Sequence, residues 1–138
     1  WINFGEPTNA NVINAWNLSR QAVSDALIHL MKSEFERKRD FIVEGTLAPK
    51  YNLLSTSAGR CLYILLTVSD MSERKRRLEV KVKESRGREI ERWFATLDIT
   101  QRVQDYLIQE AQDNNYIIIE NENVSKTVEI IQKIEITL

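Results

Sequence analysis

Apolar residues along this chain follow two patterns, short unbroken runs and four-residue beats. The runs are Phe41-Ile42-Val43, the stretch from Cys61 to Val68, and Tyr116-Ile117-Ile118-Ile119. Each stops abruptly on polar residues: Glu44-Gly45-Thr46, Ser69-Asp70 and Glu120-Asn121. A parallel strand buried on both faces reads this way, with polar groups emerging at its carboxyl end. Strands are therefore expected over residues 41–44, 61–68 and 116–119. The second is the longest apolar run and is expected to be central and fully buried.

The beats mark helices. From about Ser19, a plausible N-cap, Val23, Leu27 and Leu30 keep helical spacing, with Ala26 and Met31 beside them. That helix ends on Glu34, Glu36, Arg37, Lys38 and Arg39. Between residues 98 and 112, Ile99, Val103, Leu107 and Ala111 repeat every four positions, with Thr96 or Asp98 as cap. A last helix starts between Asn123 and Ser125 and turns Val128, Ile131 and Ile134 inward. Residues 1–15 are polar and rich in asparagine, with a turn at Gly5-Glu6-Pro7-Thr8. Pro49 and Ser55-Thr56-Ser57-Ala58-Gly59 mark a loop. Helices falling between strands imply right-handed crossovers and a parallel sheet. Residues 1–138 are thus read as one α/β domain, a parallel sheet flanked by helices.

Composition narrows the class. With 138 residues, 43% hydrophobic and 28% charged, the chain suits one soluble domain. A net charge of -1 excludes a polyanion binder by bulk charge. The lone Cys61 cannot form an internal disulfide, which fits a reducing, cytoplasmic setting. No apolar run approaches the ~20 residues of a membrane span. The chain opens at Trp1 rather than methionine, and the sheet is thin, so a preceding amino-terminal portion is expected.

Charge is concentrated in residues 70–92. Arg74, Lys75, Arg76, Arg77, Lys81, Lys83, Arg86, Arg88 and Arg92 outnumber the acids among them. Leu78 and Val82 give only a thin apolar stripe, so a mobile, lid-like charged helix is expected. Arginines on such a helix can fork onto phosphate oxygens. The plainer reading, a solvated face laced with ion pairs, is favoured by the residues alone. Only Trp93 and Phe94 accompany the tract, so nucleic-acid stacking is not expected. Glu44, Asp70 and Glu120 stand at strand ends, where an acid can hold hydrated Mg²⁺ or accept a hydroxyl proton. Capping of the following helix is the commoner role for each. His29 is the single histidine and reads as a surface or packing residue; one Cys and one His exclude a Cys/His metal site. The phosphate-loop pattern G-x-x-x-x-G-K-[ST] does not occur.

Several segments together resemble the archaeal 2-phosphoglycerate kinase family of P-loop kinases. They are Arg20-Gln21-Ala22-Val23 with Phe41-Ile42-Val43-Glu44-Gly45, Arg86-Gly87-Arg88 through Arg92-Trp93-Phe94, Asp98-Ile99-Thr100-Gln101-Arg102-Val103-Gln104-Asp105-Tyr106-Leu107, and Ile118-Ile119-Glu120-Asn121 with Lys126-Thr127-Val128. The likeness spans roughly residues 15–133. It implies a P-loop kinase-like sheet ordered 2-3-1-4-5, of which this chain carries strands 3, 4 and 5, and a lid over residues 70–92. It also implies ATP and Mg²⁺ as cofactors. On this resemblance Glu44 serves catalysis or the metal, Arg86 and Arg88 approach phosphates, and Thr46, Asp70 and Asn121 line the cofactor. Lys81 stands where the family's lid would carry an arginine, and the two are not equivalent at a bidentate phosphate site. Without strand 1 and its phosphate loop, the chain alone is expected to be inactive.

The expected function is phosphoryl transfer from ATP to a small hydroxyl substrate. A non-catalytic α/β module that binds a nucleotide or regulates is the alternative, and RNA binding by the basic tract a distant third. The implied partners are a small-molecule phosphate acceptor and a nucleotide, with no membrane; self-association is left open.

Overall fold

The computed structural model describes residues 8–46, 62–84 and 96–136. They belong to two compact units that divide after Tyr63, and each is treated by itself.

The first unit is built on α1 (Asn9–Glu36). It begins at Asn9 and not near Ser19, because Thr8 is the cap. Its backbone is extended, and its Oγ1 accepts from the Asn11 amide at 3.3 Å. Ser19 lies inside the helix and its hydroxyl donates to the Ala15 carbonyl at 3.0 Å, a back-bond that lets serine sit mid-helix. Val12 and Met31 are buried, together with Arg20 and Ser24. Leu30, expected inward, is 55% exposed, and Val23 and Leu27 are half-buried. Two of the buried positions are polar, so apolar periodicity alone misplaced the inner face. The Ser24 hydroxyl is satisfied by the Arg20 carbonyl at 2.8 Å.

Beyond α1 the chain turns sharply. Lys38 takes a positive φ of 55°. The Lys38 amide donates to the Phe35 carbonyl and the Arg39 amide to the Glu34 carbonyl. This pair of bonds is a Schellman closure, which satisfies carbonyls the helix would leave open. Phe41 then packs edge-on against Phe35, with ring centroids 5.1 Å apart. The expected strand at residues 41–44 is not formed: the segment has no strand pairing, and Ile42 is 89% exposed. Stacking on the helix end directs this run, and a strand without a partner leaves its amides and carbonyls unpaired. Gly45 follows with φ 153°, a region that residues with a side chain rarely adopt.

The second unit holds β1 (Ile64–Thr67), α2 (Met71–Glu84), α3 (Leu97–Asp113), β2 (Ile117–Glu120) and α4 (Val124–Ile136). The strands are parallel, with Ile64 opposite Ile117 and Thr67 opposite Glu120. Helices α2 and α3 lie between them in the chain, and α3 packs on both. Among the described residues the architecture is therefore α/β, four helices and a two-stranded parallel sheet. The P-loop kinase-like sheet of three strands expected from the sequence is not seen among them.

The strand expected at 61–68 is shorter, and it is not fully buried: Leu66 is 46% exposed. Among the described residues β1 has one neighbouring strand, β2. The core of this unit gathers Ala111 of α3 and Ile119 of β2, with Thr67 and Thr127 buried beside them in their own elements. On α4 the inward side starts at Thr127, leaving Val128 46% exposed, while Ile131 and Ile134 are half-buried as expected. Helix α3 ends in a second Schellman closure. The Asn115 amide donates to the Gln112 carbonyl, and Tyr116 to Ala111, with Asn115 at φ 56°. No described helix is long and apolar enough to cross a membrane.

Candidate functional site at the carboxyl edge of the strands

Parallel pairing brings the polar ends of β1 and β2 to one edge. The Asn121 amide donates to the Thr67 carbonyl at 2.7 Å and extends the ladder by one step. At its centre stands Glu120. One carboxylate oxygen accepts from the Thr67 hydroxyl at 2.7 Å and the Ser69 hydroxyl at 2.8 Å; the other accepts the Ser69 amide at 2.5 Å. Burial pushes the Glu120 carboxyl up. The hydroxyls of Thr67 and Ser69, the Ser69 amide and the Arg74 charge outweigh that, and its pKa is lowered. A carboxylate fully engaged by three donors is a fastener between strand ends and a poor proton acceptor.

Asp70 performs the commoner role. Its Oδ1 accepts from the Ser72 amide at 2.8 Å and the Ser72 hydroxyl at 2.7 Å, at the start of α2. The Ser72 hydroxyl and amide lower its pKa. Asn121 is engaged too: its Oδ1 accepts from the Thr127 hydroxyl at 2.9 Å. Asn123 caps α4, with its Oδ1 accepting from the Lys126 amide at 3.2 Å.

Two arginines reach across from α2. Arg74 Nε donates to the Val68 carbonyl at 2.5 Å, while its Nη1 is buried without a hydrogen-bond partner. Burial lowers its pKa against the opposing charges of Asp105 and Glu120. Arg77 Nη2 donates to the Asn121 carbonyl, and to the Glu122 carbonyl at 3.0 Å. Its Nε is held by Glu73 at 2.7 Å, and Arg76 takes the same carboxylate with two bonds. Bonding to Arg76 and Arg77 pulls the Glu73 carboxyl down to about 2. From α3, Gln104 grips Val68, accepting its amide at 3.1 Å.

Of the residues singled out from the sequence, Asp70 and Asn121 share this edge. Glu44 and Thr46 belong to the first unit, where both are exposed. Arg86 and Arg88 lie outside the described residues. The sequence marked Ser69 as a polar strand end but gave no role to Thr67 or Gln104. The available signal was two hydroxyls spaced by two residues at one strand end and an acid at the end of its partner.

Among the described residues no three His, Cys, Asp or Glu side chains gather to hold a metal. Mg²⁺ on a nucleotide asks for less, one or two carboxylates beside phosphates and water. Glu44 is exposed, while Glu120 is committed to Thr67 and Ser69.

Over 88 residues the chain is 30% identical to 2-phosphoglycerate kinase of Methanococcus maripaludis strain C6, covering 64% of this chain and 26% of the relative. The 2-phosphoglycerate kinase of Methanococcus vannielii matches with the same identity and coverage. The chain is a distant relative of these archaeal kinases. It spans about a quarter of the length of the curated relatives it matches. No family model matches the chain. No solved structure matches it.

Proposed function

We propose that this chain is part of an ATP-dependent kinase that phosphorylates a small hydroxyl substrate, of the 2-phosphoglycerate kinase kind. The 88-residue likeness carries this reading. The parallel strands with polar residues at one carboxyl edge are consistent with it, since ligands of open α/β sheets sit there. On this reading Glu44 meets Mg²⁺ or the acceptor hydroxyl, Arg86 and Arg88 neutralise transferring phosphate, and Thr46, Asp70 and Asn121 lie along the nucleotide. Mg²⁺, when bound, would neutralise charge between the phosphates. Asp70 and Asn121 would contribute through the shape of the edge, the Oδ1 atom of each being engaged within the protein.

The test is a coupled assay of the full-length gene product with ATP, Mg²⁺ and 2-phosphoglycerate. Turnover is expected, and Glu44→Gln should lower kcat by about a hundredfold or more, as removal of a proton acceptor or metal ligand does. Absence of turnover on 2-phosphoglycerate and on a panel of hydroxy acids and nucleosides would sink the reading.

A second reading, a non-catalytic module that binds a nucleotide, is favoured by one observation. Asp70, Glu120 and Asn121 all spend their side chains on structure. It predicts nucleotide binding by calorimetry with no turnover on any acceptor.

A further inference from the structure

The parallel ladder fixes which backbone groups of β2 meet β1. The Asn121 amide donates to the Thr67 carbonyl at 2.7 Å, and Thr67 stands opposite Glu120. In such a ladder the residues flanking Glu120, Ile119 and Asn121, turn their amides and carbonyls toward β1. Backbone groups alternate along a strand, so those of Ile118 and Glu120 turn the other way. Among the described residues the sheet ends there, with no strand beyond β2. Edge strands are ordinarily guarded by a charge, a proline or a bulge. From Tyr116 to Ile119 there is no charge and no proline, and the register with β1 runs without a break. Three successive isoleucines favour the extended form, and Ile118 is 37% exposed.

We propose that this edge is an interface between two copies of the chain, β2 pairing antiparallel with β2 of its partner about a two-fold axis at Ile118.

Three features select a second copy as the occupant. The edge is complementary to itself. A two-fold axis at Ile118 sets its amide against the carbonyl of the partner's Ile118, and its carbonyl against that residue's amide. This is the closely bonded pair of an antiparallel ladder. Ile117 then lies opposite the partner's Ile119, one β-branched side chain against another. No like charges meet in this register, because Glu120 falls opposite the partner's Tyr116 and Glu122 opposite the partner's Asn114. An axis perpendicular to the sheet also keeps opposed residues on one face. Helix α3, which packs on both strands, therefore stays on the same side of the joined sheet in each copy. Such a contact is isologous and closes on itself, leaving no β2 edge for further pairing.

The strand has four residues. Its edge buries less than the roughly 1,200 Å² at which stable interfaces begin, so the dimer is a reversible one. The pairing involves no nucleotide and does not rest on the kinase reading.

Sedimentation equilibrium of the full-length gene product, without ATP, tests it between about 10 µM and 1 mM. A reversible monomer–dimer equilibrium is expected. Ile118→Pro removes an amide that faces away from β1, so it spares the ladder within the chain and deletes both reciprocal bonds between copies. The dissociation constant should rise by about tenfold or more, with the circular dichroism of the monomer unchanged. Should that variant fail to fold, Ile118→Lys sets two like charges opposite each other at the axis and should weaken the dimer in the same way. Hydrogen exchange locates the contact: protection over residues 117–120 should rise with protein concentration, while residues 64–67 keep one rate. A monomer throughout the concentration range overturns the proposal. So does a dimer that these substitutions leave as tight as wild type, or one whose formation does not slow exchange in β2.

Discussion

Lys38 and Asn115 occupy the same place in the same motif. Each follows a helix, takes a left-handed φ near 55°, and sits inside a paired Schellman closure. Each is followed by an apolar run that ends in glutamate, Phe41-Ile42-Val43-Glu44 in one case and Tyr116-Ile117-Ile118-Ile119-Glu120 in the other. Only the second run becomes a strand. The local signals are nearly equal, so they do not decide the outcome. The second run has β1 alongside, residue for residue, and α3 packed on both strands. The first run instead turns its leading aromatic onto Phe35, and Ile42 is left in water. An apolar run is a strand only where a partner completes its backbone bonds.

The largest expected effect tests that contrast directly. Ile119 is 5% exposed and Ile42 is 89% exposed. Ile119→Ala should cost about 2–5 kcal/mol in urea denaturation, from lost burial and the cavity left behind. Ile42→Ala should fall within about 0.5 kcal/mol of wild type. A comparable cost at both positions would mean that residues 41–44 are buried against something, and the contrast would collapse.

The two terminal glutamates sharpen the same comparison. Glu120 accepts three hydrogen bonds that tie one strand end to the other. Glu44 is exposed. Glu120→Gln should destabilise by about 1–2 kcal/mol, while Glu44→Gln should change stability by less than about 0.5 kcal/mol. The acid limb follows with a definite sign. The carboxyls of Glu120 and Glu73 are lowered from 4.5 in the folded state. Their stabilisation is therefore complete above that value and is lost as pH falls, for Glu73 through about 2. Melting temperature should drop over this window, and Glu120→Gln should make the drop shallower. An unchanged acid limb in that variant would show that the fastener carries no linkage.

Helix α3 and β2 were legible in the sequence because local and long-range signals agree there. The beat of Ile99, Val103, Leu107 and Ala111 matches a helix packed on the sheet, and Asn115 suits its turn. The start of α1 was not legible. The cap Thr8 follows directly on Gly5-Glu6-Pro7, and the asparagines after it read as loop. Its inner face was hidden because Arg20 and Ser24 are buried on it. At the edge, Asp70 and Asn121 could be placed together from strand polarity alone. Their engagement with Ser72 and Thr127 could not, since hydrogen bonds across elements leave no periodic trace.

The smallest effect lies in the two turns themselves. A left-handed φ costs a residue with a Cβ about 1 kcal/mol, asparagine less than lysine because its short amide tolerates that region. Lys38→Gly should therefore stabilise the chain by about 1 kcal/mol, and Asn115→Gly by only a few tenths. Lys38 is exposed, so little packing is lost with its side chain to obscure the result. Denaturant midpoints of the two variants, measured side by side, give the difference without reference to anything else in the fold. A gain at position 115 as large as that at 38 would mean that both turns are equally strained. The better local fit at Asn115 could then no longer be part of why the second run is so well placed to pair.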